Sequence, residues 1–328
     1  PLAVLSSREH VDGVHVHRVW TTRFGRGHLA GRAVDYLTFY ISAGIRLALL
    51  LKKGDIVVAK TDPPLISVVA AIASRLRGAR SINWLQDVFP EVAEAMKVQF
   101  LPGWASRLAR RLRDWSLRSS EATVVLGTRM ANYVNLRSLP GKRVTIIPNW
   151  GTELPEQNPA DVAALRAEWG LANNFVVMYS GNMGRVHEFD TVLEAAELLR
   201  DSAVKFLFVG DGYRKPLLME EGNRRQLPNL VFKDYQPRDR LGLSLAVADA
   251  HLVTLLPELE GLVVPSKFSG IAACGKPTLF VGDPDGEIAR LVREFECGIV
   301  VTAGDSKNLA SAIRRLMRNP DLSARQGA

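Results

Sequence analysis

The chain has 328 residues, 47% of them hydrophobic, which is enough for two domains with sizeable cores. Its only cysteines are Cys274 and Cys297, which argues against a disulfide framework and fits a reducing compartment. No secretory leader is legible, and no uninterrupted apolar run reaches membrane-spanning length, so no spanning segment is expected. The net charge of +8 is uneven. Residues 1–150 hold 22 Lys+Arg against 10 Asp+Glu, or +12, and residues 151–328 hold the other 20 against 24, or −4. A basic first half points to an anionic partner surface. Nucleic acid and anionic lipid headgroups both fit, as does a solvated basic face.

In chain order, Gly13–Trp20 alternates like a strand. Residues 21–32 are rich in Gly and Arg and read as a loop, and residues 33–52 as a helix. Strand-like runs follow at Ile56–Lys60, Ser81–Leu85, Ala122–Leu126 and Val144–Ile147, with helical segments at 65–77, 103–119 and 128–138. Strands alternating with helices predict a mostly parallel sheet. The first half lacks a Gly-rich turn after an opening strand, so it reads as truncated at its N-terminus.

The segment Pro148–Pro159 is the expected linker, which divides the chain into domains 1–150 and 151–328. Beyond it, strand runs lie at Phe175–Ser180, Val204–Val209, Asn229–Phe232, Ala250–Leu255, Pro277–Val281 and Gly298–Val301. Each is followed by a helical segment. That is a full doubly wound α/β domain, which binds ligands at the carboxyl ends of its strands.

Three loops of the second half lie at such ends. The first holds Gly181, Asn182, Gly184 and Arg185. Its glycines let backbone approach a ligand, and Asn182 and Arg185 bind oxygens. The second is Gly210-Asp211-Gly212. The third, Val264–Pro277, reads as a short helix with Ser266 as N-cap, Gly275 past its end and Pro277 as its stop. Lys267 faces the positive end of that helix, where an anion would explain it; a solvated lysine on an ordinary capped helix is the plain alternative. Together the three loops suggest a nucleoside diphosphate site.

In the first half, Gln86 and Asp87 follow a strand; Asp87 faces the ligand side or else caps the next helix. Asp283-Pro284-Asp285 resembles a metal-binding Asp-x-Asp, but Pro and Asp here favour a turn. The histidines lack zinc-ligand spacing; His15 and His17 share one strand face. No metal site is expected. Residues 99–118 form a basic amphipathic stretch, with Trp104, Leu108, Leu112 and Trp115 at helical spacing among Arg107, Arg110, Arg111, Arg113 and Arg118. Phe100 and Leu101 precede it. This suits an interfacial helix on anionic lipid, or a sheet-covering helix with a basic outer face. No RNA-module signature is present, so nucleic acid is not expected as a partner.

These motifs resemble the family 4 retaining glycosyltransferases. The resemblance rests on Ile147-Pro148-Asn149-Trp150, Tyr179–Gly184, Val209–Gly212, Val264–Lys267 with Ala273–Pro277, and Gln86–Glu91. The set is most similar to the branch that builds O-antigen, capsule or colanic acid with amino sugars. It implies two Rossmann-like domains facing across a cleft, the glycosyltransferase B-type. It implies transfer from a nucleotide-diphosphate sugar, with UDP and an N-acetylamino sugar favoured, to a lipid-linked or other saccharide acceptor. The donor would sit on domain 151–328 and the acceptor on domain 1–150, at the cytoplasmic face of the cell membrane, with no cofactor. By position, Gly181, Asn182, Gly184 and Lys267 match phosphate or sugar contacts, Ser266 assists, and Gly210–Gly212 fall near the nucleoside. Arg185 or His187 would stand in for a lysine often found after the Gly-x-x-Gly turn. Many members carry two glutamates eight apart where this chain has Leu262 and Gly270; Glu258 and Glu260 lie nearby out of register. Many also have histidine at Gln86, which leaves Asp87 as the catalytic candidate beside Gln86.

Two other functions share the architecture. A nonhydrolysing UDP-sugar 2-epimerase would converge several carboxylates and histidines on the sugar, and this chain is poor in them. A non-catalytic two-domain binding protein would carry crossover strands between its domains, where this chain has a single Pro-rich linker.

Overall fold

The computed structural model describes residues 6–25, 29–96, 102–139, 144–151 and 154–327. The chain folds as two compact units. One comprises the residues up to Leu126 with Ala131–Ile147; the other comprises Gly127–Met130 and everything from Pro148 onward.

The first unit opens with a hairpin of β1 (Arg8–Val11) and β2 (Val14–His17), paired antiparallel with Val11 opposite Val14. The turn is Asp12-Gly13, both at positive φ (49° and 82°), as a two-residue hairpin with the right twist requires. The alternating stretch expected to open the parallel sheet is therefore the return strand of a separate hairpin. The long helix α1 (Leu29–Leu50) follows and starts inside the stretch expected to be a loop; residues 26–28 lie outside the described residues.

Then come β3 (Ile56–Lys60), α2 (Ile66–Arg77), β4 (Arg80–Trp84), the short α3 (Glu91–Ala95), α4 (Gly103–Ser119), β5 (Ala122–Val125), α5 (Thr128–Arg137) and β6 (Val144–Ile146). The four strands form one parallel sheet in the order β3-β4-β5-β6. Its helix-facing side is unusually polar. Asn83 donates to Ser120 Oγ (2.8 Å) and to the Ser116 carbonyl (3.2 Å), so its buried amide is satisfied from α4.

The α4 helix is amphipathic, as expected. Its buried residues are Ser106, Ala109, Arg113, Ser116 and Leu117, whereas Trp104, Leu108 and Leu112 are exposed. The apolar stripe therefore points outward. The buried Arg113 forms a fork with Glu91 (2.6 and 3.0 Å) and donates to the Phe89 carbonyl (3.1 Å). This ties α4 to the loop that carries Gln86 and Asp87. Phe100 and Leu101 lie outside the described residues.

The stretch Gly31–Leu50 of α1 is long and apolar enough, by length and composition alone, to cross a membrane, although its apolar run is interrupted. Here it packs beside α2, with Gly44 against Val69.

The second unit begins with α6 (Pro159–Glu168), capped by the Asn158 side chain, which accepts from Ala160 N–H (2.9 Å). It continues with β7 (Phe175–Ser180), α7 (Asp190–Leu198), β8 (Val204–Val209), α8 (Lys215–Arg224), β9 (Leu230–Lys233), α9 (Leu241–Ala246), β10 (Ala250–Thr254), α10 (Lys267–Ala272), β11 (Thr278–Gly282), α11 (Glu287–Glu294), β12 (Gly298–Thr302), α12 (Ser306–Arg318) and α13 (Pro320–Gly327). The sheet is parallel, in the order β12-β11-β10-β7-β8-β9. The chain adds strands outward in one direction from β7 to β9 and in the other from β10 to β12, so the strand order reverses between β7 and β10. That switch point opens a crevice at the carboxyl ends of these two strands.

Alternate residues of each strand feed two cores. Val177, Tyr179, Phe206 and Phe208 pack under α7 and α12, while Val176, Met178, Leu207 and Val209 pack toward α6 and α9. Burial on both faces explains the nearly continuous apolar runs.

Glu91→Ala would strand the buried Arg113 cation. We expect the first unit to lose about 3–5 kcal/mol, read from its own transition in a denaturant titration. A change below about 1 kcal/mol would mean that Asp114 and water suffice for Arg113.

Candidate functional site

The carboxyl ends of β7, β8 and β10 bring the expected residues of the second unit together. Gly181 (φ +123°), Gly210 (φ +131°) and Gly212 (φ +141°) hold conformations that side chains rarely adopt. Space adds a second constraint. A Cβ on Gly210 would lie 2.2 Å from the Gly181 carbonyl oxygen, and one on Gly212 would lie 2.7 Å from that of Met183. The two loops are laced by backbone: Met183 N–H donates to Asp211 O (2.7 Å), and Arg214 N–H to Met183 O (2.9 Å). Gly184 and Asn182 complete the first loop, with the Asn182 side chain against Gly184 and Gly212. Arg185 is exposed, its guanidinium carbon 3.2 Å from the Tyr213 ring centroid, a stacking that leaves its N–H edges available. The Asp211 carboxylate accepts from Gly212 N–H (2.8 Å).

Lys267 reaches this cluster from the start of α10. Its Nζ lies 3.5 Å from the Tyr179 ring centroid, donates to the Tyr179 hydroxyl, and approaches His187 Nε2 at 3.5 Å. Tyr179 in turn donates to the Asn182 carbonyl (2.8 Å). His187 Nδ1 lies 2.8 Å from the Thr254 carbonyl. A carbonyl only accepts, so Nδ1 carries the hydrogen and Nε2 offers a lone pair to the ammonium. Burial, followed by the Lys267 charge, pushes the His187 pKa down to about 3, so the ring is neutral. Burial pushes the Tyr179 phenol up and holds Lys267 well below the usual lysine range. Among the described residues no carboxylate forms an ion pair with Lys267. The cation is held by a ring face, a hydroxyl and a neutral imidazole.

Three expectations change here. Ser266 stands at the N-cap position but makes no capping bond with its side chain, and it is exposed. His187, named as a stand-in for a missing lysine, is spent on Thr254 and Lys267. Asp87 is not the cap of α3, which starts after Pro90 with no side-chain cap. The Asp283–Asp285 segment is a turn, with Asp283 accepting from Asp285 N–H (2.9 Å). Tyr179 is a site residue that the sequence reading did not name; a phenol hydroxyl next to the last residue of an otherwise apolar strand run is the available signal.

In the first unit, Gln86 N–H donates to Thr61 Oγ1 (2.8 Å), which joins the ends of β3 and β4. Asp87 borders a small enclosed space with Thr61, Asn83 and Arg113. Burial, and then the Asp62 carboxylate, push the Asp87 carboxyl up to about 6. Asp62 was also overlooked, although it follows β3 as Asp87 follows β4.

Comparison with known proteins agrees with this geometry. Residues 3–150 match the model described as "Glycosyl transferase 4-like domain", and residues 174–319 match "Glycosyl transferases group 1". The chain belongs to the family 4 glycosyltransferases. This sets aside the epimerase and the binding-protein readings. WbjE of Pseudomonas aeruginosa, assigned as a glycosyltransferase, is 26% identical over 89% of this chain and 73% of its own length. WcaI of Escherichia coli strain K12, assigned as a glycosyl transferase of colanic acid biosynthesis, is 28% identical over 76% of this chain and 63% of its own. The HepE structure from Anabaena in complex with UDP-glucose superposes with a TM-score of 0.68 at 20% identity, over 91% of this chain and 76% of that one. Sucrose-phosphate synthase from Thermosynechococcus elongatus reaches 0.76 at 16%, over 99% and 79%. These structures show the same glycosyltransferase B-type fold, with two Rossmann-like domains.

The raised Asp87 pKa has a sign that can be checked. Below about pH 4 the carboxyl is protonated whether folded or unfolded, and above about pH 6 the folded protein carries a poorly solvated charge. Asp87→Asn is therefore expected to stabilise the first unit by about 1–2 kcal/mol near pH 8, and not near pH 4. Equal effects at both pH values in denaturant titrations would show that the charge is not the cause.

Proposed function

We propose that this glycosyltransferase moves a sugar, with retention of anomeric configuration, from a UDP-linked donor to a lipid-linked saccharide in bacterial surface polysaccharide assembly. The observation that carries the reading is Lys267, a cation with no carboxylate partner among the described residues, beside two glycine-bearing strand ends at a topological switch point. A diphosphate supplies the missing charge. In the reaction the bond from the anomeric carbon to the diphosphate breaks, and the leaving group takes the electron pair. Lys267 and Arg185 stabilise that growing charge, aimed there before the reaction begins. Gly181, Asn182 and Gly184 let backbone approach the phosphates, Ser266 offers its exposed hydroxyl, and Gly210–Gly212 line the nucleoside.

Domain 151–328 holds the donor and domain 1–150 the acceptor; the acceptor hydroxyl oxygen bonds the anomeric carbon on the face that the diphosphate leaves, and its proton passes to the Asp87 carboxylate, beside Gln86, or to the departing diphosphate. UDP is favoured because solved neighbours of this fold contain UDP or UDP-glucose. An N-acetylamino sugar is favoured by the family resemblance; the relative from Streptomyces kanamyceticus named an alpha-D-kanosaminyltransferase supports an amino sugar as such. The name of WcaI supports the polysaccharide setting, and the family resemblance adds a peripheral place at the inner face of the cell membrane.

Calorimetric titration with UDP, GDP and ADP side by side tests the donor. Micromolar binding of UDP alone is expected; preference for GDP or ADP would reassign the base. Lys267→Ala should weaken UDP binding at least about tenfold, since a charge-assisted phosphate contact is worth roughly 1.5–3 kcal/mol. Unchanged affinity would remove Lys267 from the site.

The same lysine predicts a pH trend. A bound diphosphate raises the Lys267 pKa back toward the ordinary range, so binding takes up a proton. Affinity should be constant below the free-protein value and fall with rising pH between the free and the bound values. The window from about pH 7 to about pH 10 keeps the phosphates ionised throughout. Lys267→Gln should flatten that slope, and a flat profile in the unsubstituted protein would show that the Lys267 pKa is not lowered before UDP arrives.

A further inference from the structure

Helices α1, α2 and α4 form one layer on the first unit. Gly44 of α1 faces Val69 of α2, and Ser67 of α2 meets Ser116 of α4 hydroxyl to hydroxyl (2.9 Å). The outer surface of this layer is apolar on all three helices. On α1, Leu37, Ile41, Ile45 and Leu49 recur every four residues and are exposed, Leu49 to 71%. On α2, Ile72 and Leu76 are exposed, Leu76 to 75%. On α4, the exposed residues are Trp104 (67%), Leu108 and Leu112.

Such a surface exceeds the scattered apolar residues of ordinary protein exteriors. Its polar residues have one sign. Arg75, Arg77, Arg107 and Arg111 are exposed in the layer, and the Arg75 guanidinium lies 5.7 Å from the Trp115 ring centroid, beside the stripe on α4. Helix α2 has no acidic residue. The sole carboxylate of α1, Asp35, accepts from Thr22, Phe24 and Gly25, and that of α4, Asp114, pairs with the buried Arg113. Of the arginines expected to face lipid, Arg110 is instead committed to Glu91 (3.0 Å) and Glu94 (2.6 Å).

We propose that the outer face of α1, α2 and α4 docks on an anionic lipid bilayer, its aliphatic and tryptophan side chains in the interface and its arginines on the headgroups. Apolar area together with one-signed charge is what an interfacial surface needs, since neither alone anchors a protein firmly. The inference deepens the lipid-linked acceptor reading and extends it from α4 to the whole layer.

Flotation of the full chain with phosphatidylcholine vesicles, with and without phosphatidylglycerol, tests it. Binding is expected only with phosphatidylglycerol, and is expected to weaken as salt rises from about 0.05 M to about 0.5 M. Three outward double variants, Trp104→Ser/Leu108→Ser, Ile41→Ser/Ile45→Ser and Arg107→Gln/Arg111→Gln, should each lower partitioning at least about tenfold. UDP affinity and the first unit's own denaturant transition should both be unchanged in all three, which shows both units folded and separates this inference from the donor site. Absence of flotation with UDP binding intact would overturn the docking surface and leave the transferase reading standing. An unaffected α1 variant would confine docking to α4 and overturn the three-helix surface. A dimer in sedimentation velocity that dissolves with the same substitutions would make this face a contact between two copies instead.

Discussion

The second unit is organised around a cation that lacks an anion. Placing an ammonium where burial lowers its pKa costs free energy unless something compensates. The Tyr179 ring, its hydroxyl and the neutral His187 compensate in part, and each is fixed by a further bond, to Asn182 and to Thr254. His187 Nδ1 links the loop after β7 to the end of β10 across the switch point. The crevice that the strand order creates is thus held by the same residues that hold the charge. Glycines then keep side chains out of the space above it.

The first unit shows the complementary strategy. Its buried charge, Arg113, is fully paired, and the pair with Glu91 secures the segment after β4. Within that secured segment Asp87 is left beside Asp62 with a raised pKa. A well-compensated ion pair next to a poorly compensated carboxylate separates a structural task from a chemical one. Perturbed groups of this kind cluster at functional sites because function requires a charge that the fold alone would not place there.

The helix layer of the same unit carries the other departure from ordinary folding physics. An amphipathic helix normally turns its apolar stripe to the sheet. In α4 the sheet side is already polar, with Asn83, Ser81 and Thr123, and it takes Ser116, while the buried Ser106 and Arg113 bond to Glu94 and Glu91. The aromatic and aliphatic residues are left for the outside. The basic character of the first half is spent on that outer surface as well as on internal pairs.

Much was legible from the chain alone. The alternation of apolar strand runs with helical segments determined a parallel α/β architecture, because strands buried on both faces must be apolar throughout. The glycine loops at strand ends and the segment around Lys267 marked the ligand side, since close backbone approach and an anion-facing lysine leave residue-type traces. What the sequence could not decide was partnership. Tyr179 and His187 lie 88 and 80 positions from Lys267, and only the sheet order brings them together. Helical spacing showed that α4 has an apolar stripe, but which side is buried depends on the sheet beneath it. The opening strand read correctly as a strand, yet the Asp12-Gly13 turn, and not its periodicity, set its partner and direction. Local pattern determines what a segment can form; only tertiary structure decides what it meets, because the deciding contacts join segments far apart in the chain.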